Sequence, residues 1–269
     1  SALSIYREPV ELSALAEQGL DTDELDSLVE QGLARQGDVD FYDVHDLIRE
    51  FLLRSLDEKT KKEFHAKCCT WYEKQNVNAS TILERIFHLI RSDKGGDAAI
   101  LIANEGRDLV SQGHMELLGL MEGLDLDSLE TSIKIRVLQL RGEILVLLGR
   151  FIDAEEIFLS TQSLGDKSKA TRIDAEVLSA LADIALKQGD TEKALTMHHD
   201  ALEKFIQFGD AKGAARSYNN MGYLLRRKND LTKALEAYGE VETILNESNG
   251  IELVLSLIHI SEPTRPMNI

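Results

Sequence analysis

Apolar residues recur through most of this chain at spacings of three and four, and polar clusters centred on glycine, asparagine or aspartate separate the runs. That period predicts amphipathic helices joined by short turns. Near the start, Leu12, Leu15 and Ala16 mark a short helix. In TDELDSLVEQGLA, Leu25, Leu28, Val29 and Leu33 share one face, and Thr22 or Asp21 is placed to cap the helix. ARQGDVDFYDV then reads as a two-stranded hairpin turning near Gly37 and Asp38. HDLIREFLLRSL follows as a third helix, with Leu47, Ile48, Phe51 and Leu52 apolar. Asp43 or Asp46 is the expected cap there, and Arg49 stands three residues after Asp46, close enough to pair with it.

Farther along, Ile82, Ile86, Leu89 and Ile90 form one stripe, Lys94 to Asp97 reads as a turn, and Ala98 to Val110 as a helix ended by Gly113. Beyond residue 130 the pattern repeats. Segments beginning at Leu138, Leu178 and Tyr218 align without gaps, and Ala154, Ala194 and Ala234 recur every 40 residues. Gly142, Ala182 and Gly222 form a small column, and Leu145, Ala185 and Leu225 an apolar one. Gly149, Gly189 and Asn229 stand where a first helix must end, because these residues accept the left-handed conformation. Each unit is a helix, a tight turn and a second helix, and the small column lets the two helices approach closely.

This register resembles the tetratricopeptide repeat, carried in the third unit by Tyr218, Met221, Gly222, Leu225, Ala234 and Tyr238. The family period is about 34 residues, so 40 suggests its longer-helix variant. The resemblance implies a right-handed α-α superhelix that binds peptides in its concave groove, lined by the first helix of each unit. The corresponding columns are Arg136, Gln139 and Glu143, then Glu176, Ser179, Asp183 and Lys187. In the third unit they are Arg216, Asn219, Asn220, Tyr223, Arg226 and Arg227. The third set is cationic and rich in amides, suited to carboxylates and peptide backbone. A solvated helix face is the plain alternative. The second unit lacks the asparagine needed for a full terminal-carboxylate clamp.

Helix, helix, two-stranded wing and helix make a winged-helix plan over residues 1–75. The segment with Gly32, Leu33, Tyr42, Val44, His45, Asp46, Leu47, Ile48 and Arg49 resembles the winged helix of STAND-type, NB-ARC-like signalling ATPases. His65 and Trp71-Tyr72 fit that family's next helix. The resemblance implies that His45 contacts the β-phosphate of a bound nucleotide, but only if an upstream nucleotide-binding core exists. The chain contains no G-x-x-x-x-G-K-[ST] loop. No initiator methionine is present, and the chain reads as a fragment of a longer protein.

Charge narrows the functions. A formal net charge of −17 over 269 residues opposes phosphate backbones and anionic membranes. The helix in the recognition position carries Asp21, Asp23, Glu24, Asp26 and Glu30 and no basic residue, which argues against DNA. DTDELD lacks the sixth-position glycine of a calcium loop. His198 and His199 point about 100° apart on a helix and cannot share a metal through one face; His198 falls in the column of Phe158 and Tyr238 and is expected to be packed inside. Cys68 and Cys69 are the only cysteines, forming neither a disulfide framework nor a zinc set, and are expected to pack as small apolar groups. No catalytic site, metal or cofactor is expected.

The expected architecture is mainly α. It has a winged-helix-like module at 1–75, a helical hairpin connector at 76–129 and three repeats at 130–250. The string SLIHISEPTRP resembles a translated sequencing adapter, so residues 255–269 are expected to be a non-native or disordered tail. The expected function is a non-enzymatic, cytoplasmic protein- or peptide-binding sensor arm of a STAND-type ATPase. The last repeat, lacking its neighbour, is expected to allow self-association. The alternative is a winged-helix transcriptional regulator with a ligand-sensing repeat domain.

Overall fold

The computed structural model describes residues 2–37, 41–164 and 172–247. They divide into two compact units, with the boundary between Leu140 and Arg141. The expected tail at 255–269 and the expected turn residue Asp38 lie outside the described residues.

The first unit opens with a 3-10 turn, Ala2–Ile5, then strand β1 (Val10–Glu11) and helices α1 (Leu12–Gln18) and α2 (Thr22–Glu30). Strands β2 (Arg35–Gln36) and β3 (Phe41–Asp43) follow, then α3 (Asp46–Ser55) and α4 (Glu58–Tyr72). The expected two-stranded wing is a three-stranded antiparallel sheet in the order β1-β3-β2. Val10 pairs with Tyr42 and Glu11 with Phe41. Two residues are too few to show alternation in the sequence, but together they cover the edge of β3, where Tyr42 is buried. Asp21 caps α2 in a reciprocal capping box with Glu24. That geometry explains the acidic DTDELD start without a cation.

Two details of α3 differ from expectation. Its cap is His45, whose Nδ1 accepts from the Leu47 amide at 3.3 Å. Asp43 and Asp46 instead both accept from the Arg49 guanidinium, at 2.6 and 2.7 Å. The expected apolar face is also rotated. Leu47 and Phe51 are 72% and 71% exposed, while Ile48, Leu53 and Leu56 pack inward. The core they join gathers Leu3, Tyr6, Leu15, Leu25, Tyr42 and Trp71 from the whole length of the segment. Ala16 is exposed and Ala14 is the buried alanine of α1; Leu33 lies past the end of α2 and is partly exposed. Cys68 and Cys69 are buried free thiols, and burial pushes the Cys68 thiol up to about 12.

Helices α5 (Ala79–Arg91), α6 (Gly95–Ser111) and α7 (Leu117–Met121) continue the first unit. Gly95 to Asp97, expected in the turn, already belong to α6. The reversal is made by Asp93 at φ 60° and Lys94. A side chain on Gly106 would meet Leu140 Cδ2 at 2.3 Å.

Helix α8 (Thr131–Leu147) crosses the boundary, and the second unit continues with α9 (Phe151–Ser163), α10 (Arg172–Lys187), α11 (Thr191–Gln207), α12 (Ala211–Arg227) and α13 (Leu231–Glu247). Each helix from α9 to α13 packs on the next, giving the expected series of helical hairpins. The first helix of each unit ends as foreseen: Gly149, Gly189 and Asn229 have φ of 73°, 91° and 63°. The small column faces the aromatic one. A side chain on Gly142 would meet the Phe158 ring at 2.6 Å, and one on Gly222 the Tyr238 ring at 2.7 Å. In the middle unit the pair is Ala182 and His198, both fully buried as expected.

Candidate functional site

Helix α12 carries two faces. Ala214, Ala215, Ser217, Leu224 and Leu225 are buried. Residues 216, 220, 223 and 227, spaced four, three and four, line the other side, with 219 and 226 beside them. Arg216, Asn219 and Asn220 are partly buried, Tyr223 is 40% exposed, and Arg226 and Arg227 are exposed. The sequence columns therefore do share one face.

The cations on this face are held by rings rather than by acids. Arg226 and Arg227 lie over Tyr223 at 5.7 and 5.9 Å from its centroid, and Arg216 lies 5.8 Å from that of Phe205. None of the three pairs with a carboxylate among the described residues, and the buried Nε of Arg216 has no hydrogen-bond partner. By contrast, Arg172 reaches Glu176 at 3.2 Å and Asp210 at 3.0 Å. Asp183 on α10 is engaged by other groups. Asn220 Nδ2 donates to its Oδ1 at 3.4 Å, and His198 Nε2 lies 3.3 Å from the same oxygen.

The other two sets of columns offer less. Arg136 donates to the Ala103 carbonyl at 2.6 Å and to Asn104 at 3.1 Å, so its guanidinium is tied to α6. Gln139 and Ser179 are buried. Glu143 is partly buried, Glu176 is paired, and Lys187 is exposed. Of the three sets of columns, the donor-rich one is that of α12, whose Asn220 donates to Asp183 on α10.

Some of this was hidden in the 40-residue register. Asp190, Asp210 and Asp230 each stand at a helix start and accept from the amide three residues on, at 3.0, 3.0 and 3.3 Å. Gly209 has φ 65°, so the turn recurs at half the period, once per helix. The spacing of these aspartates was the signal. Arg172–Asp210, which ties α10 to the start of α12, follows from it.

His45 is exposed at the start of α3. Helix α2 presents Asp23, Glu24, Asp26 and Glu30 to solvent. Among the described residues, no group of three or more His, Cys, Asp or Glu side chains could hold a metal ion. No helix there is long and apolar enough to cross a membrane.

Known proteins similar to this chain include one family profile, over part of it, and two solved structures. The profile of the tetratricopeptide repeat matches residues 173–247. No curated protein matches the chain. One similar solved structure is a Signal Transduction ATPase with Numerous Domains (STAND) protein with a tetratricopeptide repeat sensor, from Pyrococcus horikoshii. It is 16% identical with a TM-score of 0.47, over 94% of this chain and 44% of that one. The chain thus spans less than half the length of that protein. Another is BtubC from P. vanneervenii, 16% identical with a TM-score of 0.41, over 96% of this chain and 92% of that one. Helical hairpins, left-handed turns and the family match coincide: residues 173–247 carry tetratricopeptide repeats.

Proposed function

We propose that the chain is a non-catalytic protein-binding arm that takes a carboxylate-bearing segment of a partner protein on the α12 face. The repeats imply protein–protein interaction. What supports the finer reading is one observation. In a chain of net charge −17, Arg216, Arg226 and Arg227 gather on one helix face with no carboxylate partner among the described residues. Guanidinium groups fork onto carboxylates, and Asn219 beside them can bond a peptide backbone. Sequence resemblance adds that the arm serves a STAND-type ATPase in the cytoplasm, with residues 1–75 as its winged helix. In that setting His45 would sense nucleotide on a core elsewhere in the longer protein.

The test is fluorescence anisotropy with labelled acidic, neutral and basic peptides. Acidic peptides should bind best and weaken with salt. Arg226→Ala with Arg227→Ala should weaken them about tenfold, or about 1.4 kcal/mol. Selective binding of neutral or basic peptides, or indifference to the double substitution, would overturn the reading.

A further inference from the structure

Two histidines meet in the core of the first unit. His65 on α4 and His88 on α5 are buried, and their Nδ1 atoms lie 2.7 Å apart. That distance is a hydrogen bond, so one ring carries its hydrogen on Nδ1 and the other presents a lone pair. With both Nδ1 atoms protonated, two N–H groups would point at each other. The pair is sealed by rings: Tyr72 stacks on His88 at 5.6 Å, and Tyr6 meets it edge-on at 5.9 Å. Phe87 stands edge-on to both histidines.

We propose that His65 and His88 form an acid-sensitive latch, which holds α4 on α5 while both rings are neutral and releases the joint when they take up protons.

The charges around the pair all bear on this. From the N-terminal segment comes Arg7, from α4 Lys61, and from α5 Arg91 and Glu84; Lys61 and Arg91 bear on His65, and Arg7 on His88. Glu84 Oε2 lies 3.8 Å from His88 Nε2. Its charge is already matched by Arg7, whose Nη2 reaches Oε1 at 2.5 Å, and among the described residues His88 Nε2 has no hydrogen-bond partner. Tyr6, Tyr72 and Cys68 also lie in this core, and burial keeps all three neutral. Helices α6 and α7, also packed on α5, bury Ala98, Ile102, Leu117 and Met121. At the head of α7, Glu116 feels Arg7. Arg7 is paired with Glu84 and Lys61 with Glu58 at 2.7 Å, which leaves Arg91, over the Phe87 ring, as the cation of this set that meets no carboxylate among the described residues.

Burial, then the charges of Arg91 and Lys61, push His65 down from 6.5 to about 4. Burial, then His65 and Arg7, hold His88 well below its ordinary value. The sign follows. Well above pH 6.5 the rings are neutral whether the joint is closed or open. As pH falls from 6.5 toward about 4, the open form takes up protons that the closed form refuses, so closure is progressively lost.

Hydrogen exchange along the full chain tests the latch. After correction for the intrinsic pH dependence, amides of residues 58–91 should exchange at least about tenfold faster at about pH 5 than at about pH 7.5. Residues 172–247 serve as the control and should change much less. His65→Asn with His88→Asn retains a side-chain hydrogen bond without a titrating group, and should flatten the difference. Unchanged pH dependence in that variant, or none in the native chain, overturns the proposal. If the double variant does not fold, imidazole NMR of the native chain decides. Two rings that stay neutral near pH 6 in the closed form support the latch. Two rings that titrate near 6.5 with protection intact overturn it.

Discussion

Residues 2–72 and residues 172–247 bury their apolar side chains in different ways. The first segment gathers one core from nearly every element, so that Leu3, Leu25, Tyr42 and Trp71 belong to the same cluster. Among the described residues the repeats divide their core into three clusters, each drawn from a run of consecutive helices, such as Phe205 with Ala175, Ala201 and Ala214 from α10 to α12 and Ile244 of α13 packed against them. A long-range core is all-or-none. A stacked one is a chain of nearest-neighbour interfaces, and damage to one interface stays close to it.

Core truncation tests this contrast with the largest effect. Leu15→Ala should cost about 3 kcal/mol, and Phe205→Ala about 3–5 kcal/mol. Hydrogen exchange should show the first loss spread over residues 2–72 and the second concentrated at the α11–α12 interface. Equal spread within both segments would erase the distinction.

A smaller effect probes the aromatic column. Gly222→Ala should cost about 1–3 kcal/mol by overpacking, since the new methyl meets the Tyr238 ring at 2.7 Å. Adding Tyr238→His reproduces the Ala182 and His198 pairing of the middle unit, and should recover much of that loss in denaturant unfolding. If the double variant is no better than the single one, the column is not a matched pair.

Caps should behave alike in both segments, because capping is local. Asp21→Ala in α2 and Asp190→Ala in α11 should each cost about 1 kcal/mol. A much larger loss at Asp21 would mean that α2 is coupled to the shared core through its first turn. The smallest stability effect is expected on the α12 face: Arg226→Ala with Arg227→Ala should stay within about 0.5 kcal/mol per substitution. A large loss would make these arginines structural and remove the basis of the proposed binding face.

The repeats were legible because their information is local and repeated. Gly149, Gly189 and Asn229 adopt the left-handed turns their positions required. The alignment of small with aromatic columns follows from two helices crossing at a fixed offset. Residues 216, 219, 220, 223, 226 and 227 share a face for the same reason, a helical period applied to one unbroken helix. A register anchored on alanines 40 residues apart hides the half-period, although Gly209 and Asp210 already repeat the turn.

Sequence alone determined the helices, most of their ends and the register of the repeats, because each depends on residues within a turn or two of one another. Tertiary structure alone decided which face of α3 is buried, and it turned Leu47 and Phe51 outward while drawing Ile48, Leu53 and Leu56 in. It added β1 to the sheet, since a two-residue strand is defined only by its partner. It paired Arg7 with Glu84, 77 residues away, and His65 with His88, 23 residues away. It also distinguished Arg136, tied to α6, from Arg216, Arg226 and Arg227, which meet no carboxylate among the described residues. Burial and partner choice depend on what approaches from distant parts of the chain, and no local pattern encodes that approach.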